Sequence, residues 1–299
     1  MATLYTHKNQ NILKTWFLMS GFLVFVILIG WIFGEIYGNP LILYGAIFFS
    51  VFMNITSYWF SSSIALRMTG AVPASREEYF DLYTIVENLS ITAGLPMPKV
   101  YVINDMAPNA FATGRNPKHA VVAVTTGLLS ILEKAELEGV IAHELSHIGN
   151  RDMLVGTVAV VLAGFIALLS DFFGRSMMWG GGRGDRNGRA GALIMVLGLI
   201  AIILAPIAAT LIRLAISRRR EYLADTSGAL LTRYPEGLAS ALKKIGAFSA
   251  PMKRASDATA HLFISNPFGA TGTKKFFTKM FMTHPPIEDR VNALLGERI

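Results

Sequence analysis

Long runs without a charged residue limit most strongly what this 299-residue chain can fold into. Trp16 to Phe33 contains no charge, and after a short turn residues 41–66 form a second uncharged run. An apolar helix of this length crosses the roughly 30 Å hydrocarbon layer of a bilayer. The first run is long for a signal peptide and no small-residue cleavage site follows it, so we predict two retained transmembrane helices, at about 16–33 and 41–66.

Two further uncharged runs lie at about 153–170 and 190–212. The composition agrees with them, because 53% of the residues are hydrophobic and only 16% are charged, values outside the usual range of soluble proteins. The net charge of +7 fits an anionic lipid surface, and the sequence contains no nucleic-acid-binding motif. We therefore predict about four transmembrane helices, the lipid bilayer as a partner and no nucleic-acid partner.

Residues 67–152 have the texture of a soluble region. Ser75 and Glu78 are spaced as a capping box before an amphipathic helix, and Gly94 is a natural stop for that helix. Short β-prone runs then predict a small antiparallel sheet, at residues 99–103, 109–113 and 120–125.

The end of the chain, residues 213–299, again has a soluble texture. Helices are predicted at residues 221–231, 236–245 and 286–295. The chain thus divides into four parts, namely a transmembrane hairpin at 1–66, a soluble part with a sheet at 67–152, a second transmembrane pair with a Gly/Arg-rich loop at 153–212, and a helical soluble part at 213–299. We predict a mainly α protein with a small β-sheet.

Two histidines four residues apart, His143 and His147, share one face of a helix that is predicted to begin near Ala135, and they can hold one metal ion between them. Glu144 lies beside the first histidine but off the ligand row, where it can take a proton from water. The chain has six histidines and no cysteine, so two of its few ligand-capable side chains fall at ligand spacing. This pattern indicates a zinc hydrolase; the alternative is a helix with two hydrogen-bonded histidines.

A catalytic zinc usually has three protein ligands and one open position, so a third ligand is needed. The compact metzincin arrangement requires a histidine where this chain has Met153, which excludes that class. Glu221 fits because it opens a helix directly after the fourth uncharged run, and Asp225, one turn later, could orient a ligand histidine. A surface ion pair of Glu221 with Arg218 or Arg220 is the alternative. The other candidates are further carboxylates and the remaining histidines, His7, His119, His261 and His284.

The predicted topology allows His143 and Glu221 to meet, because two membrane crossings separate them. The N-terminus lies on the same side by the same count. Basic residues on that side predict that it is cytoplasmic, namely Lys8, Lys14, Arg67 and the arginines within 213–220. The loop at 171–189 argues against this topology, since it carries four arginines and two aspartates on the opposite side.

Several motifs together resemble the HtpX-like membrane metalloproteases, bacterial heat-shock proteases related to the type I CAAX prenyl endoprotease. The resemblance covers most of the chain. It rests on the two N-terminal spans, the segment Asn109-Ala110-Phe111-Ala112, the sequences at 143–147, 149–153 and 221–225, the later spans, and His284-Pro285-Pro286 before Arg290.

The resemblance implies an α+β zincin-like catalytic domain with one zinc per subunit. It implies that His143, His147 and Glu221 bind the zinc and that Glu144 is the general base. It further implies that His284 stabilises the oxyanion with Arg290 as support. The segment at Asn109, Ala110, Phe111 and Ala112 is implied to be an edge strand that lines the cleft.

The leading hypothesis is a zinc endopeptidase of the bacterial inner membrane, multi-pass, that cleaves misfolded or damaged membrane proteins at the cytoplasmic face. An intramembrane metalloprotease is one alternative, although the charges of Glu133, Lys134 and Glu136 before His143 favour the membrane interface. A membrane scaffold or regulator with a non-catalytic metal site is the other.

Overall fold

The structure is a computed structural model that describes residues 4–159, 161–162, 166, 218–254, 259–269 and 285–296. Two long helices open the chain, α1 (Leu4–Tyr37) and α2 (Leu41–Thr69). Within the described residues, these are the two helices that are long and apolar enough to cross a membrane, over Asn9–Glu35 and Leu41–Thr69. They contain the first two predicted spans.

All of the fourth predicted span and the loop at 171–189 lie outside the described residues, as do residues 160, 163–165 and 167–170 of the third span. The start of the third is helical over residues 152–159. Leu154 and Val158 from this helix pack with Phe22 of α1 in one apolar cluster. The helix that follows the zinc motif therefore lies against the first span.

The helices α1 and α2 lie side by side because small residues face each other. A Cβ atom added at Gly30 of α1 would overlap the side chain of Ala46 in α2, so only glycine allows this approach. Gly38, with φ of 61°, and Pro40 form the tight connection between the two helices. The pair is thus a close antiparallel hairpin.

Four short strands form one sheet, β1 (Val72–Pro73), β2 (Lys99–Ile103), β3 (Ala110–Thr113) and β4 (Val121–Thr125), in the order β1-β2-β4-β3. The prediction of an antiparallel sheet is wrong, because β2 and β4 pair in parallel while the other two pairs are antiparallel. The strand β4 returns from a hairpin with β3 and inserts between β3 and β2, which forces it to run parallel to β2. This order leaves β3 at an edge of the sheet.

Helix α3 (Phe80–Ala93) ends at Gly94, which has φ of 65°, as predicted. The predicted start at Ser75 is wrong. The Ser75 hydroxyl donates to Glu77 at 2.7 Å, while the Glu78 N–H is 3.4 Å from Ser75 Oγ, so only a weak half of the capping box forms. Residues 76–79 consequently form a turn before the helix.

The remaining helices are α4 (Thr126–Ile131), α5 (Lys134–Gly149), α6 (Arg218–Thr232), α7 (Pro235–Ala247) and α8 (Ile287–Leu295), with single 3-10 turns at Pro117–His119 and Ala260–Leu262. The three helices predicted in the last part of the chain are confirmed within a few residues. Helix α5 begins at a capping box that the sequence analysis missed, formed by Glu133 and Glu136. The mainly α fold with a small sheet is confirmed.

Helix α5 is the centre of the soluble part and contacts α3, α6, α7 and β3. Its apolar face, including Ile141 and Leu145, is fully buried with the sheet residues Val122 and Val124 in the main core. Burying each such side chain stabilises the fold by about 1.5–3 kcal/mol. The helix that carries both histidines is therefore held on most of its sides.

Candidate metal centre

The two histidines of α5 point their rings at a common spot. His143 Nε2 lies 3.2 Å from His147 Nε2. Glu221 of α6 reaches the same spot, with Oε2 3.8 Å from His143 Nε2 and Oε1 3.7 Å from His147 Nε2. These three residues form a group whose ligand atoms all lie within 4.8 Å of one another.

The spacing of these atoms fits a zinc ion. Ligand atoms around a tetrahedral zinc with bonds of roughly 2.0–2.1 Å lie about 3.3–3.4 Å apart. The observed separations of 3.2, 3.7 and 3.8 Å bracket that value. His143, His147 and Glu221 could therefore hold a zinc ion with small side-chain adjustments. The surface ion pair proposed as an alternative for Glu221 is not what the structure shows, since Glu221 is only 9% exposed.

A glycine lets α6 bring Glu221 to the histidines. A Cβ atom added at Gly228 of α6 would lie 2.9 Å from the backbone nitrogen of His143, closer than real Cβ contacts come. The absence of a side chain at this position allows the two helices to approach closely beside the metal centre. Glu221 and Asp225 lie one turn apart on α6, so the same approach delivers both carboxylates.

Asp225, predicted to orient a ligand histidine, lies beside His143. The His143 Nδ1 lies 2.9 Å from Asp225 Oδ1. Arg290 of α8 holds Asp225 with two hydrogen bonds, from Nε at 2.8 Å and from Nη2 at 2.6 Å. Burial opposes the charge of Asp225, but the Arg290 hydrogen bonds and charge outweigh it and keep the pKa of Asp225 below its usual value.

Arg290 is completely buried. Besides Asp225, its Nη1 donates to the carbonyl of Ile264 at 3.1 Å and lies 3.9 Å from Glu221 Oε2. Arg290 therefore lies close to the possible ligand Glu221 and is linked to His143 through Asp225. His284, which the resemblance links with Arg290, lies outside the described residues.

His147 has an aspartate of its own, which the sequence analysis missed. Asp152 Oδ2 lies 3.1 Å from His147 Nδ1. The other carboxylate oxygen, Oδ1, accepts a hydrogen bond from Asn11 Nδ2 at 2.6 Å and lies 3.6 Å from Arg220 Nε. The position of Asp152 in the sequence could have indicated this role. It lies five residues after His147 and directly before an uncharged run.

The two histidines differ in their affinity for a proton. Burial dominates at His143 and lowers the pKa of its ring. At His147 burial acts in the same direction, but the Asp152 hydrogen bond and the charges of Glu221, Asp152 and Glu144 outweigh it and raise the pKa to about 9. The side of the centre at His147 is thus the more negative one.

Glu144 lies between the histidines in sequence and is 2% exposed. Burial raises the pKa of Glu144 to about 7; the charge of His147 lowers it, that of Glu221 raises it, and a hydrogen bond from the backbone N–H of Ala112 lowers it. A carboxyl group with a pKa near 7 can both accept and return a proton at neutral pH. The site therefore places a buried carboxyl group with a raised pKa next to the three possible metal ligands.

The segment predicted to line the cleft is the edge strand β3, but part of its outer edge is occupied. Ile264 N–H donates to the Ala110 carbonyl at 2.9 Å, and the Asn109 side chain pairs with the backbone of Ser265. Phe111 packs against the Phe263 ring, with the centroids 5.2 Å apart, and is fully buried. Ala112 is the member of this segment that approaches the site, through its contact with Glu144.

The other histidines considered as ligands do not join this group among the described side chains. His119 lies at the surface, where it contacts Arg115 at 2.8 Å and Asn116 at 2.8 Å. The side chains of His7 and His261 lie outside the described part of the chain, as does all of His284.

Comparison with known proteins agrees with this centre. The sequence model of peptidase family M48 matches residues 76–298. The chain is similar to a "Protease HtpX homolog" of Caldanaerobacter subterraneus, with 50% identity over 298 residues that cover 98% of this chain and 97% of the relative. It is also similar to a "Protease HtpX homolog" of Pyrococcus furiosus, with 53% identity over 247 residues, 82% of this chain and 83% of the relative.

Among solved structures, the chain is similar to that of S. mikatae Ste24p, with a TM-score of 0.50 and 17% identity. The match covers 97% of this chain and 66% of that longer protein. At this identity the likeness concerns the fold alone.

Proposed function

This chain belongs to peptidase family M48 and is a zinc metallopeptidase, and we propose that it cleaves misfolded or damaged membrane proteins at the cytoplasmic face of the bacterial inner membrane. The observation that carries the proposal is the convergence of His143, His147 and Glu221 on one spot beside the buried Glu144. When bound there, zinc supplies a Lewis acid that makes water more acidic and polarises a peptide carbonyl.

The protein residues then perform the proton transfers. Glu144 accepts the proton of the attacking water as the water oxygen forms a bond to the carbonyl carbon of the substrate. The peptide C–N bond breaks when Glu144 returns this proton to the leaving nitrogen. Glu144 is buried directly beside the first histidine in the sequence, so its carboxylate is held where it can take and return this proton.

Two further roles belong to this proposal. His284 stabilises the negative charge that develops on the carbonyl oxygen, and Arg290 supports the centre through Asp225 and Glu221. The backbone of β3 near Ala112 binds an extended substrate. Along an edge strand, the backbone N–H and C=O groups of every second residue face outward, so the Ala112 carbonyl faces the same side as the Ala110 carbonyl. The Ala110 carbonyl already accepts a hydrogen bond from Ile264 N–H. Main-chain binding of this kind selects unfolded segments with little regard for sequence.

The contacts of the N-terminal helix support the proposed cytoplasmic location. Asn11 bonds to Asp152, so the N-terminal end of α1 and the metal centre lie on one side of the membrane. Lys14 and Arg67 lie on that side as well, near the ends of the α1 and α2 spans. Basic residues near span ends favour the cytoplasm. The chain is multi-pass in this proposal, with about four spans.

The test uses the purified protein, reconstituted in liposomes, as the enzyme. Its substrate is one membrane protein in two forms, a folded form and a form destabilised by a core substitution. We expect cleavage of the destabilised form, inhibited by a zinc chelator, and slow cleavage of the folded form. Equal rates for the two forms would contradict the proposed substrate class. Sealed vesicles of each orientation test the face: protease-generated fragments must arise from cytoplasmic segments, and fragments from the opposite face would overturn that assignment.

A further inference from the structure

The first membrane helix reaches the metal centre through one polar side chain. Asn11 of α1 is 3% exposed. Its side-chain Nδ2 donates two hydrogen bonds, to Asp152 Oδ1 at 2.6 Å and to the carbonyl of Asn150 at 3.0 Å. A carboxamide nitrogen has two donors, so both are used at this one point.

These two partners lie on either side of a sharp turn. Asn150 caps the C-terminal end of helix α5. Arg151 has a φ of 61°, in the left-handed backbone region that residues other than glycine rarely adopt. The next helix begins at Asp152. Asn11 thus bridges the residues before and after Arg151 and fixes the path by which the zinc helix turns toward the membrane.

The same turn sets the position of the Asp152 carboxylate. Asp152 Oδ2 contacts His147 Nδ1, while the other ring nitrogen of His147 faces Glu221 and His143. The orientation of a histidine ligand is set by the partner of the nitrogen that does not touch the metal. A side chain that holds Asp152 therefore acts on the metal-facing nitrogen of His147.

Arg220 closes the cluster from the other side. Its Nε lies 3.6 Å from Asp152 Oδ1, and its Nη1 donates to Asn11 Oδ1 at 3.5 Å. Arg220 precedes the proposed ligand Glu221 directly in sequence. Both ends of the Asn11 carboxamide are thus engaged with residues next to the metal centre.

We propose that Asn11 is a positioning residue of the metal centre, through which the first membrane helix holds His147 in its ligand orientation by way of Asp152. The inference rests on the proposed function, since it takes His147 as a zinc ligand. Asn11 lies at the start of the candidate span Asn9–Glu35, and Leu18 and Phe22, further along α1, pack on the helix that follows Asp152. The position of this span and the zinc site are therefore coupled.

The competing explanation is that Asn11 only stabilises the packing of α1. The two explanations differ in what they predict for zinc. A positioning residue changes the affinity of the folded protein for zinc, whereas a packing residue changes the thermal stability of the folded chain and leaves the affinity of the site unchanged.

The experiment measures the zinc dissociation constant of the full chain in detergent micelles by competition with a chelator of known affinity. Removal of a partner in the outer layer of a metal site typically weakens metal binding by about 10–100-fold. We expect Asn11→Ala to raise the dissociation constant by about tenfold, the lower end, because Asn11 acts through Asp152. The matched control is Asn9→Ala, an exposed asparagine two residues earlier, which should leave the constant unchanged.

A double-mutant cycle checks the route. In the background of Asp152→Ala, a further Asn11→Ala change should alter the dissociation constant by less than about twofold, because the relay is already broken. The thermal midpoint of the zinc-free proteins is measured alongside.

A lowered midpoint for Asn11→Ala with a wild-type dissociation constant would overturn the inference and leave a packing role. An Asn11→Ala effect that persists in full without Asp152 would overturn the proposed route. Wild-type protein that binds no zinc would overturn the proposed function and this inference with it, whereas tight wild-type binding with an unaffected Asn11→Ala variant would overturn the inference alone.

Discussion

The two histidines of the metal centre are supported in different ways. His143 contacts Asp225, and Arg290 donates two charge-assisted hydrogen bonds to the Asp225 carboxylate. All three residues are almost fully buried in the soluble part. His147 rests on Asp152, which is held by the neutral carboxamide of Asn11 from a membrane helix and, at 3.6 Å, by Arg220.

This difference indicates that the centre has a rigid half and a half that depends on the membrane. Leaving one partner of a buried ion pair alone costs about 3–5 kcal/mol. A hydrogen bond to a charged group contributes about 1.5–3 kcal/mol. Changes on the His143 side should therefore damage the folded protein, while changes on the His147 side should alter zinc binding with a smaller effect on folding.

The largest effect should come from Glu221, because it contacts both halves. Glu221→Ala removes one of three proposed ligands, and we expect the zinc content to fall from one ion per chain to nearly none, as measured by elemental analysis after purification. Glu236→Ala, an exposed glutamate of α7, is the matched control. Unchanged zinc content in Glu221→Ala would reject Glu221 as a ligand.

Arg290→Met should have the next largest effect, since it leaves the buried carboxylate of Asp225 without its main partner. We expect the free energy of unfolding to fall by about 3–5 kcal/mol, seen as a much lower thermal midpoint in detergent. The control is Arg76→Met, which breaks an exposed pair with Glu87 at 2.7 Å and should cost about 0–1 kcal/mol. Similar losses in the two variants would remove the distinction between the rigid half and the surface.

The two aspartates allow the halves to be compared directly. Asp225→Asn and Asp152→Asn should each weaken zinc binding by about 10–100-fold, because each removes the charge behind one histidine. Only Asp225→Asn should also lower the thermal midpoint strongly, since it weakens two short bonds of the fully buried Arg290, whereas Asp152 is 3.6 Å from Arg220. If Asp152→Asn proved the more destabilising to the fold, the assignment of the rigid half would be reversed.

A smaller effect is expected at the start of α5, which positions both histidines. Burial raises the pKa of Glu136, but hydrogen bonds from Lys244, Ser240 and the backbone of Glu133 outweigh it and hold the pKa below its ordinary value of 4.5. Because the folded pKa is the lower one, this group stabilises the fold above pH 4.5, and that stabilisation is lost as the pH falls through the lowered pKa.

Glu136→Gln should therefore reduce stability at neutral pH by about 1 kcal/mol, because hydrogen bonds to a charged group are stronger than those to a neutral one, and make the thermal midpoint less sensitive to acid as the pH falls below 4.5. Glu236→Gln, at an exposed position, is the control. An unchanged acid profile in Glu136→Gln would show that the charge of Glu136, with its bond from Lys244 at 2.7 Å, does not stabilise the fold.

Local patterns were enough to predict the two residue pairs on the helices, whereas Arg290 was expected only from the family resemblance, as support for His284. The spacing of four residues from His143 to His147 and from Glu221 to Asp225 puts each pair on one helix face, and short-range periodicity is what a sequence displays. The membrane-dependent half could not be read in this way. Asn11 and Asp152 are 141 positions apart, and an asparagine near the end of an apolar helix gives no sign of its partner.

The sheet and the caps show the same limit. The strands were found from β-prone runs, but the parallel pairing of β2 with β4 depends on which strand inserts between the others. A capping box was predicted at Ser75, but Glu77 competes for the Ser75 hydroxyl. A second capping box, at Glu133, was not predicted, since glutamate is an unusual N-cap residue.

The most direct test of the account is Glu144→Gln, which keeps the size of the side chain and removes its ability to carry a proton. Zinc content and cleavage of an unfolded membrane protein are measured on the same preparation. We predict one zinc per chain, as in the wild type, and a rate at least about 100-fold lower. A variant with full zinc content that cleaves at the wild-type rate would contradict the claim that Glu144 is the proton carrier of this metal centre.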